Sequence, residues 1–190
     1  MRELKIAYGD SRLSKRWVNK KITFKDLCER FRIPRRTSET VAEYKTFTKD
    51  RRDAAKDAGG FVLGHLKGGR RKKDNVESRS GITLDADYAG ADFLSQLEML
   101  FPYRCAVYST HSHTPEAPRL RVVIPLSRDV NPDEYAALSR LVAEEIGMDF
   151  FDDSTYEPER LMYWPSVPSD GEYVFKIIGG DELNPDKYLA

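Results

Sequence analysis

Ile82-Thr83-Leu84-Asp85-Ala86-Asp87 decides how this chain is read. Three β-prone residues run into two carboxylates spaced two apart. On a strand, residues i and i+2 project from one face, so Asp85 and Asp87 stand side by side at the end of a buried strand. Two like charges that close are costly unless a cation lies between them. A divalent metal with oxygen ligands answers that cost, and a pair of such ions supports in-line attack on phosphate.

Outward from this strand, expected over 76–87, the pattern is that of an α+β fold. A helix opens near Ala91 or Asp92, with Phe93, Leu94, Leu97 and Leu100 on one stripe. Strands follow at Tyr103–Ser109 and Leu120–Leu126, separated by a turn that holds Pro115 and Pro118. Asn131-Pro132-Asp133-Glu134 starts a second helix, with Asn at the N-cap, Pro at the first position and acids in the first turn; it ends at Gly147. Phe150-Phe151-Asp152 reads as short and extended, and Leu161–Trp164 and Tyr173–Ile178 as closing strands. Strand, helix, strand, strand, helix, strand is a split β-α-β order around a mostly antiparallel sheet.

Upstream, residues 2–8 alternate as a first strand. Thr23 caps a short helix with Leu27, Cys28 and Phe31 on one face, and Pro34 ends it. Residues 37–58 read as loop plus helix, and Phe61–Leu66 as a strand. Then comes Lys67-Gly-Gly-Arg-Arg-Lys-Lys73, five cations in seven residues. The formal net charge is zero, yet residues 1–80 carry 23 Lys and Arg against 11 Asp and Glu, while residues 81–190 carry 8 against 20. A basic half beside an acidic half suits nucleic-acid contact on one side and metal binding on the other; the competing reading is that the halves neutralise each other internally. We read residues 1–190 as a single domain, with 1–80 a basic N-terminal α/β subregion and 81–180 a catalytic core. Cys28 and Cys105 lie outside any Cys-x-x-Cys pair, which argues against structural zinc. With no apolar run long enough to span a bilayer, the expectation is a cytoplasmic protein with two free thiols and no membrane partner.

Three further features join the acidic pair. Ser109-Thr110-His111-Ser112-His113 closes the next strand with imidazoles able to meet phosphate or metal. Arg119 and Arg121 share one face of the following strand, and a guanidinium fork suits phosphate. Phe151-Asp152 repeats the apolar-then-acid logic and supplies a third carboxylate, with Arg160 downstream.

Together these residues resemble the catalytic core of the archaeo-eukaryotic primase (AEP) superfamily, including the primase-polymerases of phages and plasmids. That family is marked by an apolar strand ending in Asp-x-Asp/Glu, a Ser-x-His and an apolar residue followed by Asp. Here stand Leu84-Asp85-Ala86-Asp87, Ser109-Thr110-His111 and Phe151-Asp152, then Arg160 and Pro165-Ser166. The stretch from Ser109 to Pro125 is similar to the primase part of phage primase-helicases of the virulence-associated E type.

The resemblance implies an RRM-like sheet and template-dependent nucleotidyl transfer. Asp85, Asp87 and Asp152 would be catalytic and hold two Mg²⁺ or Mn²⁺ ions. Nucleoside triphosphate would be gripped from among Ser109, His111, His113, Arg119, Arg121 and Arg160, which the sequence does not rank. Lys67, Arg70, Arg71, Lys72 and Lys73 would track a single-stranded DNA template, and a helicase domain would accompany the module in a longer parent protein. His111 does depart from the family pattern by leading into a proline-containing turn rather than a strand. Two rivals stand beside this reading. His111-Ser112-His113 is similar to the paired histidines of rolling-circle replication nucleases, with Tyr135 as the nucleophile. The other rival is a non-catalytic replication module that binds nucleic acid.

Overall fold

The computed structural model describes residues 1–190. β1 (Glu3–Gly9) and β2 (Val18–Thr23) form an antiparallel hairpin. Thr23 then caps α1 (Phe24–Arg32) by accepting from the Asp26 amide. After β3 (Arg35–Arg36) come two short helices, α2 (Val41–Thr46) and α3 (Lys49–Lys56), where a single helix after a loop was expected. Thr40 and Thr48 cap them in turn, so Thr48 restarts the chain after only two residues.

The expected strand over 61–66 is two strands in different sheets, β4 (Gly60–Val62) and β5 (Gly64–Leu66). The switch falls at Gly64, where a Cβ would come within 2.0 Å of the Ser78 carbonyl oxygen. Only glycine permits that approach. The basic stretch follows as a turn, with Gly68 and Gly69 both at positive φ.

β6 (Val76–Ala86), α4 (Phe93–Leu100), β7 (Cys105–Ser109), β8 (Leu120–Val130) and α5 (Pro132–Ile146) build the second half. α5 begins with the capping box read from Asn131 and Glu134. β9 (Met162–Tyr163), β10 (Ser166–Val167), β11 (Phe175–Ile178) and α6 (Asp186–Leu189) complete the chain.

A five-stranded sheet runs β11-β7-β8-β6-β5, entirely antiparallel. Within it, β6, β8 and β7 keep the split β-α-β order. The place beside β6 that a fourth strand would take is filled for its first half by β5. Phe150–Asp152 is not a strand: Met148–Phe150 and Asp153–Tyr156 are 3₁₀ turns with Phe151 and Asp152 between them. β9 closes the other sheet, ordered β2-β1-β4-β9, rather than this one.

One face of the five-stranded sheet packs on α4 and α5 through Ile82, Leu84, Val122, Phe93, Leu97, Leu138 and Val142. The opposite face contributes Ala106, Tyr108 and Val123 to a second core with α1 and the four-stranded sheet. β6 is thus covered on both sides, and every residue from Ser78 to Ala86 is buried. Both cysteines are buried and free. No helix is long and apolar enough to cross a membrane. Of the ion pairs, only those of Arg2 and Lys5 with Asp129 join a cation of residues 1–80 to an acid of the second half, so the charge asymmetry survives folding largely intact.

Candidate active site

The acidic pair sits where β6 runs out of strand partners. β5 pairs only with Val76, Ser78 and Arg79. Beyond that, Thr155 stands in for a strand: its hydroxyl donates to the Thr83 carbonyl at 2.8 Å and accepts from the Asp85 amide at 3.0 Å. The Asp152 amide donates to the Asp85 carbonyl at 3.0 Å, and the Tyr88 amide to the Phe150 carbonyl at 3.1 Å. Buried backbone groups must be paired, and this stitching pairs them. It also brings Asp152 beside Asp85 across a gap of nearly seventy residues in the chain.

Asp85, Asp87 and Asp152 line one cavity, facing Arg119, Arg121 and Arg160. Asp85 spends both carboxylate oxygens on Arg121, whose Nε and Nη2 donate at 2.6 and 3.2 Å. Arg121 also donates to the Tyr108 hydroxyl and the Tyr163 carbonyl. Burial works against its charge, but Asp85 beside it outweighs that, and its pKa is raised. Asp87 is unlike Asp85, for it has no hydrogen-bonded partner. Burial raises its pKa, and the neighbouring charges of Asp85 and Asp152 raise it further, against a smaller opposing effect of Arg119.

His111 borders the same cavity but is already engaged. Its Nε2 lies 2.8 Å from Glu39 and its Nδ1 2.8 Å from the Ser166 hydroxyl. Burial would raise the Glu39 pKa, but hydrogen bonds from Thr37, its own backbone and His111 hold it below the usual range. An ionised Glu39 takes the Nε2 proton, so Nδ1 accepts from Ser166. Burial lowers the His111 pKa despite Glu39, leaving a neutral imidazole at pH 7. It orients Ser166 rather than contributing positive charge.

Ser109 and His113 lie outside this cavity. Ser109 is buried, and its hydroxyl accepts from the Val174 amide, tying the end of β7 to the chain before β11. His113 uses both ring nitrogens, accepting from the Arg119 amide and facing Glu172 at 2.9 Å. These two residues shape the 110–119 loop that presents Arg119. In the basic stretch, Lys67, Arg70, Lys72 and Lys73 are exposed and unpaired. Arg71 is turned inward, 5.3 Å over the Trp17 ring, donating to the Glu159 carbonyl. Tyr135 is fully buried, its hydroxyl held at Thr83 and Thr155, where no DNA strand could reach it.

Sequence reasoning missed Lys56, which also lines the cavity, and Glu39, Thr155 and Arg79. Arg79 is fully buried with no carboxylate partner. It donates to the Leu63, Pro158 and Gly81 carbonyls and to the Thr83 hydroxyl, and stacks 3.9 Å from the Tyr135 ring. It thereby ties β6 to the loop that carries Arg160.

The AEP domain of the primase-polymerase of cyanophage S-2L aligns over 98% of this chain and 87% of its own, with a TM-score of 0.51 and 13% identity. At that identity the likeness is one of fold. No curated protein matches the sequence. The family model of the VapE N-terminal domain matches residues 1–190, the whole length described above. The chain therefore belongs to the VapE N-terminal domain family and carries an α+β fold of the AEP type.

Proposed function

We propose that this chain is a template-dependent nucleotidyltransferase, a primase-polymerase module that extends or starts strands on single-stranded DNA in mobile-element replication. The observation that carries the reading is the cavity itself. Three carboxylates, two from the end of β6 and one from nearly seventy residues on, share one opening with three guanidiniums. Acids and cations lining one cavity suit a metal-bound triphosphate, which is anionic along its chain and cationic at its ion.

The donor set fits a hard divalent ion in chemistry, since carboxylate oxygen is what Mg²⁺ and Mn²⁺ take. Asp87, half-buried beside two other acids and without a bonded counterion, is the strongest sign of room for positive charge. The arrangement is not a preformed ligand cage: no three His, Cys, Asp or Glu side chains are set for an ion. Arg121 occupies Asp85. Asp87 and Asp152 would hold the first ion, and Asp85 could join only as Arg121 turns toward phosphate. Bound there, such an ion lowers the pKa of a 3′-hydroxyl and neutralises charge on the transferred phosphoryl group.

The chain's own groups do the rest. Arg160 and Arg119, both exposed at the cavity mouth, meet the outer phosphates. Arg121 stabilises charge nearer the acids. Ser166, oriented by neutral His111, offers a hydroxyl at the opposite wall. Lys67, Arg70, Lys72 and Lys73 remain free to track template phosphates, while Arg71 does not. A helicase domain in a longer parent protein would supply unwound template. The nuclease alternative loses its nucleophile with Tyr135 in the core.

The test is strand extension on a primed single-stranded template with labelled triphosphates and Mn²⁺. Asp87→Asn with Asp152→Asn should reduce extension on the order of 10³-fold with the fold retained. Unchanged extension by the folded variant refutes the assignment.

A further inference from the structure

A second groove opens beside the catalytic cavity and shares His111, Ser112 and Arg119 with it. Its other wall comes from α2 and the first turn of α3, which project Lys45 and Arg52. Lys45, Arg52 and Arg119 are all exposed, and none has an ion pair or side-chain hydrogen bond. No carboxylate lines the groove. The contrast within the same two helices is informative. Lys49 and Lys56 are both neutralised by Asp53, and the opposite side of the helix pair presents Glu39 and Glu43 along with Arg51. Lys45 and Arg52 thus lie unpaired on the face that joins the cavity, while Arg51 on the other side lies over the Phe47 ring.

Tyr44 forms the floor. Its hydroxyl accepts from Ser112 at 3.3 Å, and the charges of Arg52 and Arg119, with Asp53 opposing them, act on it. The groove measures about 250 Å³, room for roughly eight waters at ~30 Å³ each, so it can take a short run of phosphates. Three cations held together with no acid among them repel one another until an anion arrives.

We propose that this groove binds the phosphate backbone of a single-stranded nucleic acid as it passes into the catalytic cavity. The inference rests on the polymerase reading for its direction of travel, since an unpaired strand is what a copying site must receive. It also assigns the nearest template contacts to residues 40–52 and the 110–119 loop, in addition to the basic turn at 67–73. That gives the α2–α3 segment a specific role in template contact.

The experiment is fluorescence anisotropy of a labelled single-stranded oligonucleotide, without metal or triphosphate, across a salt series. Lys45→Ala with Arg52→Ala changes two exposed side chains and leaves the cavity intact. We expect about a tenfold loss of affinity at low salt, and a salt slope shallower by roughly 1.4, the value for two single-strand phosphate contacts. Unchanged affinity and slope overturn the proposal. A second arm measures Mn²⁺–triphosphate binding by calorimetry. Loss of triphosphate binding with DNA binding preserved also overturns it, because the groove would then serve the nucleotide. If the wild type incorporates no nucleotide yet binds DNA through these residues, the polymerase reading fails and the groove stands.

Discussion

The two ends of β6 leave charges of opposite sign without a bonded counterion. At its start, Arg79 is a buried cation with no anion, satisfied by three carbonyls, a hydroxyl and an aromatic face. At its end, three acids crowd one cavity and only Asp85 has a bonded counterion. The first end spends its charge on neutral acceptors that cannot leave, so it is a fastening. The second leaves Asp87 and Asp152 without a bonded counterion and open to an arriving cation, so it is a site. Thr83 links them: its hydroxyl accepts from Arg79, and its carbonyl accepts from Thr155, which also holds the Asp85 amide.

The largest expected effect breaks the fastening. Arg79→Met keeps the apolar volume but removes the donors to the Gly81 and Pro158 carbonyls and the Thr83 hydroxyl, while the Leu63 carbonyl keeps the Ser80 amide. We expect a loss of about 3–5 kcal/mol in urea unfolding, given ~1–3 kcal/mol for each buried group left unpaired and some relaxation. At the other end, Asp85→Asn with Arg121→Met removes both partners together and should cost only about 1–2 kcal/mol, because no charge is left uncompensated. If the double variant proves the more damaging, the two ends are not distinct in the way described.

The link between the ends comes next. Thr155→Val preserves shape and deletes the hydroxyl that serves as a strand partner to β6. We expect a cost of about 2–3 kcal/mol from the unpaired Asp85 amide and Thr83 carbonyl. Extension should fall about tenfold as Asp152 drifts from Asp85, and Thr155→Ser should restore it. A variant that is destabilised but fully active would mean that Thr155 holds the edge without positioning the acid.

These residues also mark what could be read from sequence. Asp85 and Asp87 share the cavity because strand alternation is a local rule, and α5 begins at Asn131 because capping is local too. The third acid was legible by its order after an apolar pair, but its conformation was not. A two-residue apolar run does not distinguish a strand from a 3₁₀ turn, and here the strand's place is taken by a threonine side chain. Arg79 carried no signal, since an arginine flanked by Ser78 and Ser80 reads as solvent-facing. Its burial is decided by Leu63 and Pro158, which only the fold brings together. Glu39 was hidden for the same reason, its partner His111 lying in another sheet region. The paired histidines look alike in sequence, yet only His111 reaches the cavity, because His113 is spent on the Arg119 amide and Glu172.

The smallest effect should run in the opposite direction and sharpen the comparison most. Asp87 is half-buried beside Asp85 and Asp152, and makes neither hydrogen bond nor ion pair that a neutral side chain would lose. Its pKa is raised in the fold, so over the interval between the ordinary aspartate value and the raised one the native state binds more protons than the unfolded chain. Stability contributed by this group therefore falls as pH rises through that interval, and the penalty persists at neutral pH. Asp87→Asn removes the penalty. We expect the variant to be more stable than the wild type by about 1 kcal/mol at pH 7, with the advantage shrinking toward pH 4 as the wild-type carboxyl takes up its proton. The same substitution should lower extension, though by less than its combination with Asp152→Asn, the trade expected where a site stores unfavourable charge for a ligand. Urea unfolding of both proteins from pH 4 to pH 8 measures the difference directly. A gain that does not vary with pH would trace the effect to packing rather than charge, and a loss of stability would mean that Asp87 already has the cation its surroundings call for.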